Sequence, residues 1–218
     1  MIETVNFLVV DDHPVFRQGL IVLIESNETY KVTGQAGSVQ EALELLDSNC
    51  PDIVLVDISL PDQNGLDLVR SIKGKNPGIP ILIISMHDEL IYAERALKSG
   101  ASGYIMKQEA STVMLDAIET VLDGRVYVSS VMNERLLKTI FTNKDEKDTH
   151  PIERLSEREL EVLEYIGQGY GASEISEILN LSVKTVNTYR DHIKDKLQLS
   201  GAAEVRRYAV KWYQSHHR

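Results

Sequence analysis

Two adjacent aspartates, Asp11 and Asp12, follow the aliphatic run "NFLVV", and a third, Asp57, ends the run "DIVLVD". Like charges at the rim of a core repel: two unit charges about 4 Å apart cost several kcal/mol at an effective dielectric near 20. A divalent cation removes that repulsion, and an all-oxygen site with few carboxylates suits Mg²⁺. Ser85, at the end of "ILIIS", and Lys107, just after "GYIM", add a hydroxyl and an ammonium. A metal-bound carboxylate beside those two groups is a place to hold a phosphoryl group. Each residue also has a plain structural role open to it. Asp12 suits the cap of a helix starting near Pro14, Ser85 a polar strand end, Lys107 a solvated surface and Asp57 a turn with Pro61 and Gly65.

Position decides between these roles, so the elements that carry the residues matter. Strand-length apolar runs, "VNFLVV", "YKVTGQA", "DIVLV", "PILIIS" and "GYIM", alternate with segments of helical period from "PVFRQGLIVLIE" to "STVMLDAIETVLDG". Five βα units in succession predict an α/β fold, a doubly wound five-stranded parallel sheet with helices on both faces. In such a sheet, ligands sit beyond the carboxyl ends of the strands. Asp11, Asp12, Asp57, Ser85 and Lys107 all fall there, at strands one, three, four and five. After Gly124, "RVYVSSVMNERLLKTI" reads as a short helix and "FTNKDEKDTHP" as a polar linker. From Leu155 onward the pattern is helical. The expected organisation is a first domain over 1–125, a linker helix and flexible linker over 126–150, and a small all-α domain over 151–218.

The 218 residues, 43% of them hydrophobic, suffice for two cores. The single cysteine, Cys50, permits no internal disulfide, and with no signal peptide or membrane-length apolar run in the reading, a soluble cytoplasmic protein is expected, with no membrane partner. The net charge of −10 hides an asymmetry. Residues 1–149 hold 13 Lys+Arg against 23 Asp+Glu, whereas residues 181–218 hold 8 against 3. A local basic face near the C-terminus is compatible with nucleic acid despite the acidic whole.

That basic stretch lies in "LSERELEVLEYIGQGYGASEISEILNLSVKTVNTYRDHIKDKLQL", which reads as three helices. The first shows an apolar face at Leu155, Leu160, Val162, Leu163 and Ile166 before glycines end it. The second is "SEISEILN", and Ser182 is placed to cap the third, Val183 to about Leu197. Two helices joined by a short polar turn make a helix-turn-helix. At 100° per residue, Val186, Ile193 and Leu197 share the core side of the third helix. The opposite side shows Lys184, Thr188, Asp191, His192 and Asp195, flanked by Asn187 and Lys194 and by Tyr189 and Lys196. Lys184, Lys194 and Lys196 suit phosphate contacts, and Thr188 suits a base edge of the major groove. Charge alone does not separate this from the solvated face of an ordinary bundle.

Two resemblances narrow the reading. "VVDDHPVFRQGL", "VLVDISLPDQNGLDLV", "ILIIS" and "ALKSGASGYIMK" resemble the signature of a response-regulator receiver domain over residues 5 to 125. The resemblance implies that Asp57 accepts a phosphoryl group from a sensor histidine kinase, that Asp11, Asp12 and Asp57 hold Mg²⁺, and that Ser85 and Lys107 contact the phosphoryl group. It also implies that Tyr104 is a switch aromatic, rotating when the hydroxyl residue moves. This chain has Gln108 where many receivers have proline, and Ser59 and His87 stand at positions that tune dephosphorylation in the family. "LSERELEVLEYIGQG" and "ASEISEILNLSVKTVNTYRDHIKDKL" are similar to the LuxR-type DNA-binding domain, and the pair of domains is similar to the NarL/FixJ group of response regulators. Asn187, Thr188 and Asp191 match that group's base-contacting positions, and Thr185 joins the DNA-binding set. The expected function is a two-component response regulator in which phosphorylation of Asp57 controls sequence-specific binding to double-stranded DNA and transcription. A homodimer when phosphorylated or DNA-bound is implied, with RNA polymerase as a further partner. The chain is expected to assist its own phosphorylation and dephosphorylation without being an enzyme in the ordinary sense.

Two other classes compete with this reading. A haloacid-dehalogenase-like phosphohydrolase also uses an aspartate nucleophile, but it carries a second acid two residues on, where this chain has Ser59. The helical C-terminal domain also suits binding to protein rather than DNA.

Overall fold

The computed structural model describes residues 4–48, 50–141 and 151–216. The chain forms two compact units, Met1–Phe141 and Thr142–Arg218. The first contains five strands, β1 (Val5–Val10), β2 (Tyr30–Ala36), β3 (Ile53–Val56), β4 (Ile81–Ser85) and β5 (Gly103–Met106). They alternate with α1 (Pro14–Ile24), α2 (Val39–Ser48), α3 (Gly65–Lys75), α4 (Glu89–Lys98) and α5 (Ala110–Leu122). All neighbouring strands pair in parallel, in the order β2-β1-β3-β4-β5. The sheet expected from the alternation is therefore the sheet observed.

The central strands are apolar on both faces because helices cover both. Every residue of β3 and β4 is buried, as are Phe7 to Val10 of β1. Pro14 occupies the first turn of α1, where its missing N–H costs nothing. Asn64 caps α3 and Asp88 caps α4, each accepting from a backbone N–H two residues on. Asp12 does not take the capping role open to it, since the cap position of α1 is His13, which makes no side-chain cap bond.

The segment after Gly124 differs from the expected helix in its first residues. Tyr127 donates its N–H to Ser102 O (3.0 Å) and accepts from Tyr104 N (2.9 Å), forming a bridge to Gly103 on the free edge of β5. Val126 and Val128 flank it, and β-branched residues favour extended backbone. The helix α6 starts only at Ser130 and runs to Phe141. Apart from Phe141 and Pro151, the polar linker stretch lies outside the described residues.

The second unit opens with a 3₁₀ turn, Pro151–Arg154, followed by α7 (Glu157–Gln168), α8 (Ala172–Ile178), α9 (Val183–Lys196) and α10 (Ala202–His216). Ser156 and Glu159 form a capping box at the start of α7, and Gly169, at φ 103°, ends it. Ser182 caps α9 as expected, accepting from Thr185 N at 3.0 Å. A fourth helix, α10, follows the three that the sequence pattern predicts. Val205, Ala209 and Trp212 are buried along it, at a helical spacing that its sequence already carries. Val186 and Ile193 of α9, and Leu197 at its C-terminal cap, are buried as expected, and with Leu160, Leu163 and Ile175 they belong to the core of the unit.

Candidate functional site

Each pocket residue is delivered by a strand end. β1 ends at Val10, so Asp11 and Asp12 sit on its rim; β3 ends at Val56, so Asp57 follows directly. Because β1 lies between β2 and β3, and β4 and β5 follow in order, strands one, three, four and five place their ends side by side. Behind Asp57 the chain is unusually tight. A Cβ on Gly65 would lie 1.9 Å from the backbone oxygen of Asp57, so only glycine lets α3 begin there.

The geometry inside the pocket is that of a lysine shared between acids. Lys107 Nζ lies 2.7 Å from Asp57 Oδ2 and 2.7 Å from Asp11 Oδ2, with both carboxylates and the ammonium buried. The ammonium also lies 4.6 Å from the centre of the Phe16 ring. Asp57 Oδ1 accepts weakly from Ser59 N at 3.3 Å. Burial, together with the charge of Asp11, pushes the Asp57 carboxyl up to about 6 against the pull of Lys107 and the Ser59 N–H. Lys107 is itself held above its ordinary range: burial pulls it down, but Asp57 and Asp11 outweigh burial.

Ligand atoms of Asp11, Asp12, His13 and Asp57 all lie within 4.8 Å of one another. Asp12 is partly exposed, and its Oδ1 sits 2.6 Å from His13 Nδ1. His13 N donates to Asp11 Oδ1 at 2.8 Å, and Arg17 donates to the Asp11 backbone oxygen. This cluster supplies oxygen donors and more negative charge than the one ammonium neutralises, which is what a divalent cation requires. His13 was absent from the expected site, although its place next to Asp12 was a signal.

Ser85 and Tyr104 are fully buried, and both are tied to the same loop. His87 N donates to Ser85 Oγ at 3.2 Å, and Tyr104 Oη donates to His87 O at 2.8 Å. The His87 ring stacks on Tyr92 at 4.4 Å and its Nε2 lies 2.9 Å from Ser59 Oγ. Ser59 stands where a haloacid-dehalogenase-like enzyme would carry its second acid, and it brings a hydroxyl already engaged with His87. Among the described residues every peptide bond is trans, including that between Lys107 and Gln108.

On α9 the expected DNA-facing residues divide into free and engaged groups. Lys184, Asn187, Thr188, Asp191 and His192 are exposed. Thr188 Oγ1 donates back to Lys184 O at 3.1 Å, and Thr185 Oγ1 lies 2.7 Å from the capping Ser182 Oγ. Lys194 sits 3.4 Å from Asp191 and 3.6 Å from Asp195, which raise its pKa. Lys196 donates to the buried Glu159 at 2.6 Å, and His192 Nδ1 lies 3.4 Å from the same carboxylate. Burial pushes Glu159 up, but the bonds from Lys196 and Ser156 outweigh it and hold it below the usual range.

Among the described residues, Lys184 and Arg190 are the two α9 cations with no carboxylate partner. Arg190 was missing from the expected set because a helical wheel places it beside the core positions. It lines a cleft of about 250 Å³ with Asn187, Asp191, Lys194, Ala202 and Val205. Ala202 and Val205 are supplied by α10, which packs beside α9 and forms the second wall of the cleft.

Comparison with known proteins follows the same division. The family model for the response regulator receiver domain matches residues 7–119, and the model for bacterial regulatory proteins of the luxR family matches residues 153–209. Over 207 residues the chain is 34% identical to the response regulator UvrY of Escherichia coli, covering 95% of this chain and 94% of that protein. It is 35% identical over 212 residues to the oxygen regulatory protein NreC of Staphylococcus epidermidis, covering 94% and 97%. The structure of RcsB from Salmonella enterica serovar Typhimurium, bound to promoter rprA with the phosphomimetic BeF₃⁻, aligns at a TM-score of 0.61 and 25% identity, over 95% of this chain and 99% of that one.

Proposed function

Because the chain belongs to the response-regulator family, with a receiver domain joined to a LuxR-type DNA-binding domain, we propose that Asp57 is its phospho-acceptor and α9 its DNA-reading element. The observation that carries this is the buried ammonium of Lys107, 2.7 Å from both Asp57 and Asp11 in a pocket of excess negative charge. Three carboxylates and one ammonium leave two negative charges, which one divalent cation offsets, and the ammonium is then placed to meet the charge of an incoming phosphoryl group.

A sensor histidine kinase donates the phosphoryl group. An Asp57 carboxylate oxygen attacks phosphorus, the N–P bond of the kinase phosphohistidine breaks as the O–P bond forms, and the imidazole leaves and takes up a proton. Lys107 then exchanges the Asp57 carboxylate for a phosphoryl oxygen, and Ser85 Oγ donates to another after releasing His87 N. Asp11, Asp12 and Asp57 would hold Mg²⁺, which when bound would supply charge neutralisation for the transfer. The chain contributes positioning and fixed charge, and its role is that of an acceptor in the cytoplasm.

The output is a change in DNA binding. Asn187, Thr188 and Asp191 face base edges, with Asp191 placed to accept from cytosine N4. Lys184 and Arg190 face phosphates, whereas Lys194 and Lys196 reach phosphate only by leaving Asp191, Asp195 and Glu159. Paired half-sites and a homodimer follow from the bound-dimer arrangement of the family, and RNA polymerase is the partner through which transcription responds. Two measurements test this reading: labelling of Asp57 by acetyl phosphate with Mg²⁺, and a gel shift on genomic fragments before and after labelling. Labelling that persists in Asp57→Asn, or no retained fragment in either state, overturns it.

A further inference from the structure

We infer that Glu89 is a positioning residue that transmits the state of the Asp57 pocket to helix α6. The inference rests on the reading of Asp57 as phospho-acceptor and adds the route by which its state leaves the pocket.

The route is a closed ring of hydrogen bonds. From Tyr104 Oη it passes to His87 O at 2.8 Å, and two residues later the chain reaches Glu89, the first residue of α4. Glu89 is buried, and its Oε1 accepts from Ser129 N at 2.7 Å. Two residues back along the chain from Ser129, Tyr127 O accepts from the backbone N–H of Tyr104 at 2.9 Å. Tyr104 therefore holds both ends: its side chain is tied to the loop before α4, its main chain to the segment before α6. A Cβ on Gly103 would lie 2.8 Å from Tyr127 O, so the close approach of that segment to β5 requires glycine.

Other links also hold α6. Ser129 Oγ caps it by accepting from Met132 N at 3.1 Å, and Met132 is its fully buried side chain among those described. Arg135 donates to Leu90 O, on α4, at 2.9 Å. Val131 and Leu137 are exposed. A helix of this length is marginal alone, so its position is set by docking, and the docking is to α4. The Glu89 bond, at 2.7 Å from a buried side chain, is the shortest of these links to α6. When Ser85 turns to a phosphoryl oxygen it releases His87 N. The loop then shifts, Glu89 moves with it, and Ser129 must follow or lose a buried bond.

The test uses the full chain with Mg²⁺ and beryllofluoride, read by amide hydrogen exchange of peptides from α4 and from residues 130–138. In the wild type, beryllofluoride is expected to change exchange in both segments at least threefold. Glu89→Ala should keep the α4 response and lose that of α6, while Glu89→Gln, which retains an acceptor oxygen, should restore it. Arg135→Ala, at an exposed position, should weaken the α6 response about twofold, and it carries the comparison if Glu89→Ala does not fold. An α6 response in Glu89→Ala equal to wild type overturns the inference, as does a Glu89→Gln response equal to that of Glu89→Ala. So does a wild type in which α4 responds and α6 does not. A wild type with no response in either segment and no labelling by acetyl phosphate instead overturns the phospho-acceptor reading, and this inference falls with it.

Discussion

Lys107 and Lys196 each press an ammonium against a buried carboxylate, at 2.7 Å on Asp57 and 2.6 Å on Glu159, and each pulls its acid down, yet the two acids end on opposite sides of the usual range. Asp57 is pushed up to about 6, while Glu159 is held below the usual range. Burial raises Asp57 the most, and the rest of the difference lies in what else is present. Lys107 is 5% exposed and must serve Asp11 as well, so negative charge is left over. Lys196 is 40% exposed, and Glu159 has in addition the Ser156 N–H at 2.7 Å, so its charge is fully met. Surplus charge in a buried site prepares it for a ligand, whereas balanced charge holds two helices together.

The largest effect expected from this comparison is on Asp57. Asp57→Asn should abolish labelling by acetyl phosphate and yet make the receiver more stable at pH 7, on the order of 1–3 kcal/mol in urea unfolding. The sign follows from the raised pKa. Between the ordinary carboxyl value near 3.9 and about 6, the folded state holds a proton that the unfolded state releases, so stability falls as pH rises through that window. A destabilised Asn variant would break the comparison.

Glu159 should show the reverse. Glu159→Ala removes the capping box and the partner of Lys196, and should lower the stability of the second unit by about 2 kcal/mol, read from its thermal midpoint. Its lowered pKa means that the native carboxylate contributes stability above the unfolded value, and that this is lost as pH falls through the folded value. Acidification should therefore weaken this contribution while strengthening the one at Asp57.

Labelling should also depend on pH. The attacking group is the carboxylate, which burial holds up at about 6 in the metal-free pocket; a cation on the same oxygens favours the charged form, so the loss of labelling on acidification should set in at lower pH as Mg²⁺ is raised. An onset that does not move with Mg²⁺ would show that Asp57 is not among the ligands of the metal.

The smallest effect separates free from engaged cations on α9. Each phosphate neutralised contributes about −0.9 to the slope of log affinity against log salt. Lys184→Ala and Arg190→Ala should each make the slope shallower by roughly one unit per protomer, with little dependence on sequence. Lys196→Ala should leave the slope nearly unchanged and cost thermal stability instead. A Lys196 variant with the shallower slope would place that lysine on DNA and make its bond to Glu159 incidental.

The pocket was legible in the sequence because strand ends follow directly from the alternation of apolar runs, and Asp11, Asp57, Ser85 and Lys107 are strand-end residues. The core face of α9 was legible for the same reason, since Val186 and Ile193 obey a single helical period. What periodicity does not carry is contact between distant segments. Glu159 and Lys196 are 37 residues apart, and nothing local marks them as partners. Tyr127 reads as part of a helix until β5 offers it a strand edge. Arg190 reads as a core-flanking residue until α10 provides the opposite wall of its cleft.

The bridge at Tyr127 has one more consequence, for solubility. β5 is the last strand of the sheet, and an uncovered edge presents N–H and C=O groups ready to pair with another chain. The bonds from Tyr127 N to Ser102 O and from Tyr104 N to Tyr127 O occupy part of that edge. A receiver cut before residue 126 would keep all its pocket residues and lose this cover, leaving β5 as a template for edge-to-edge association.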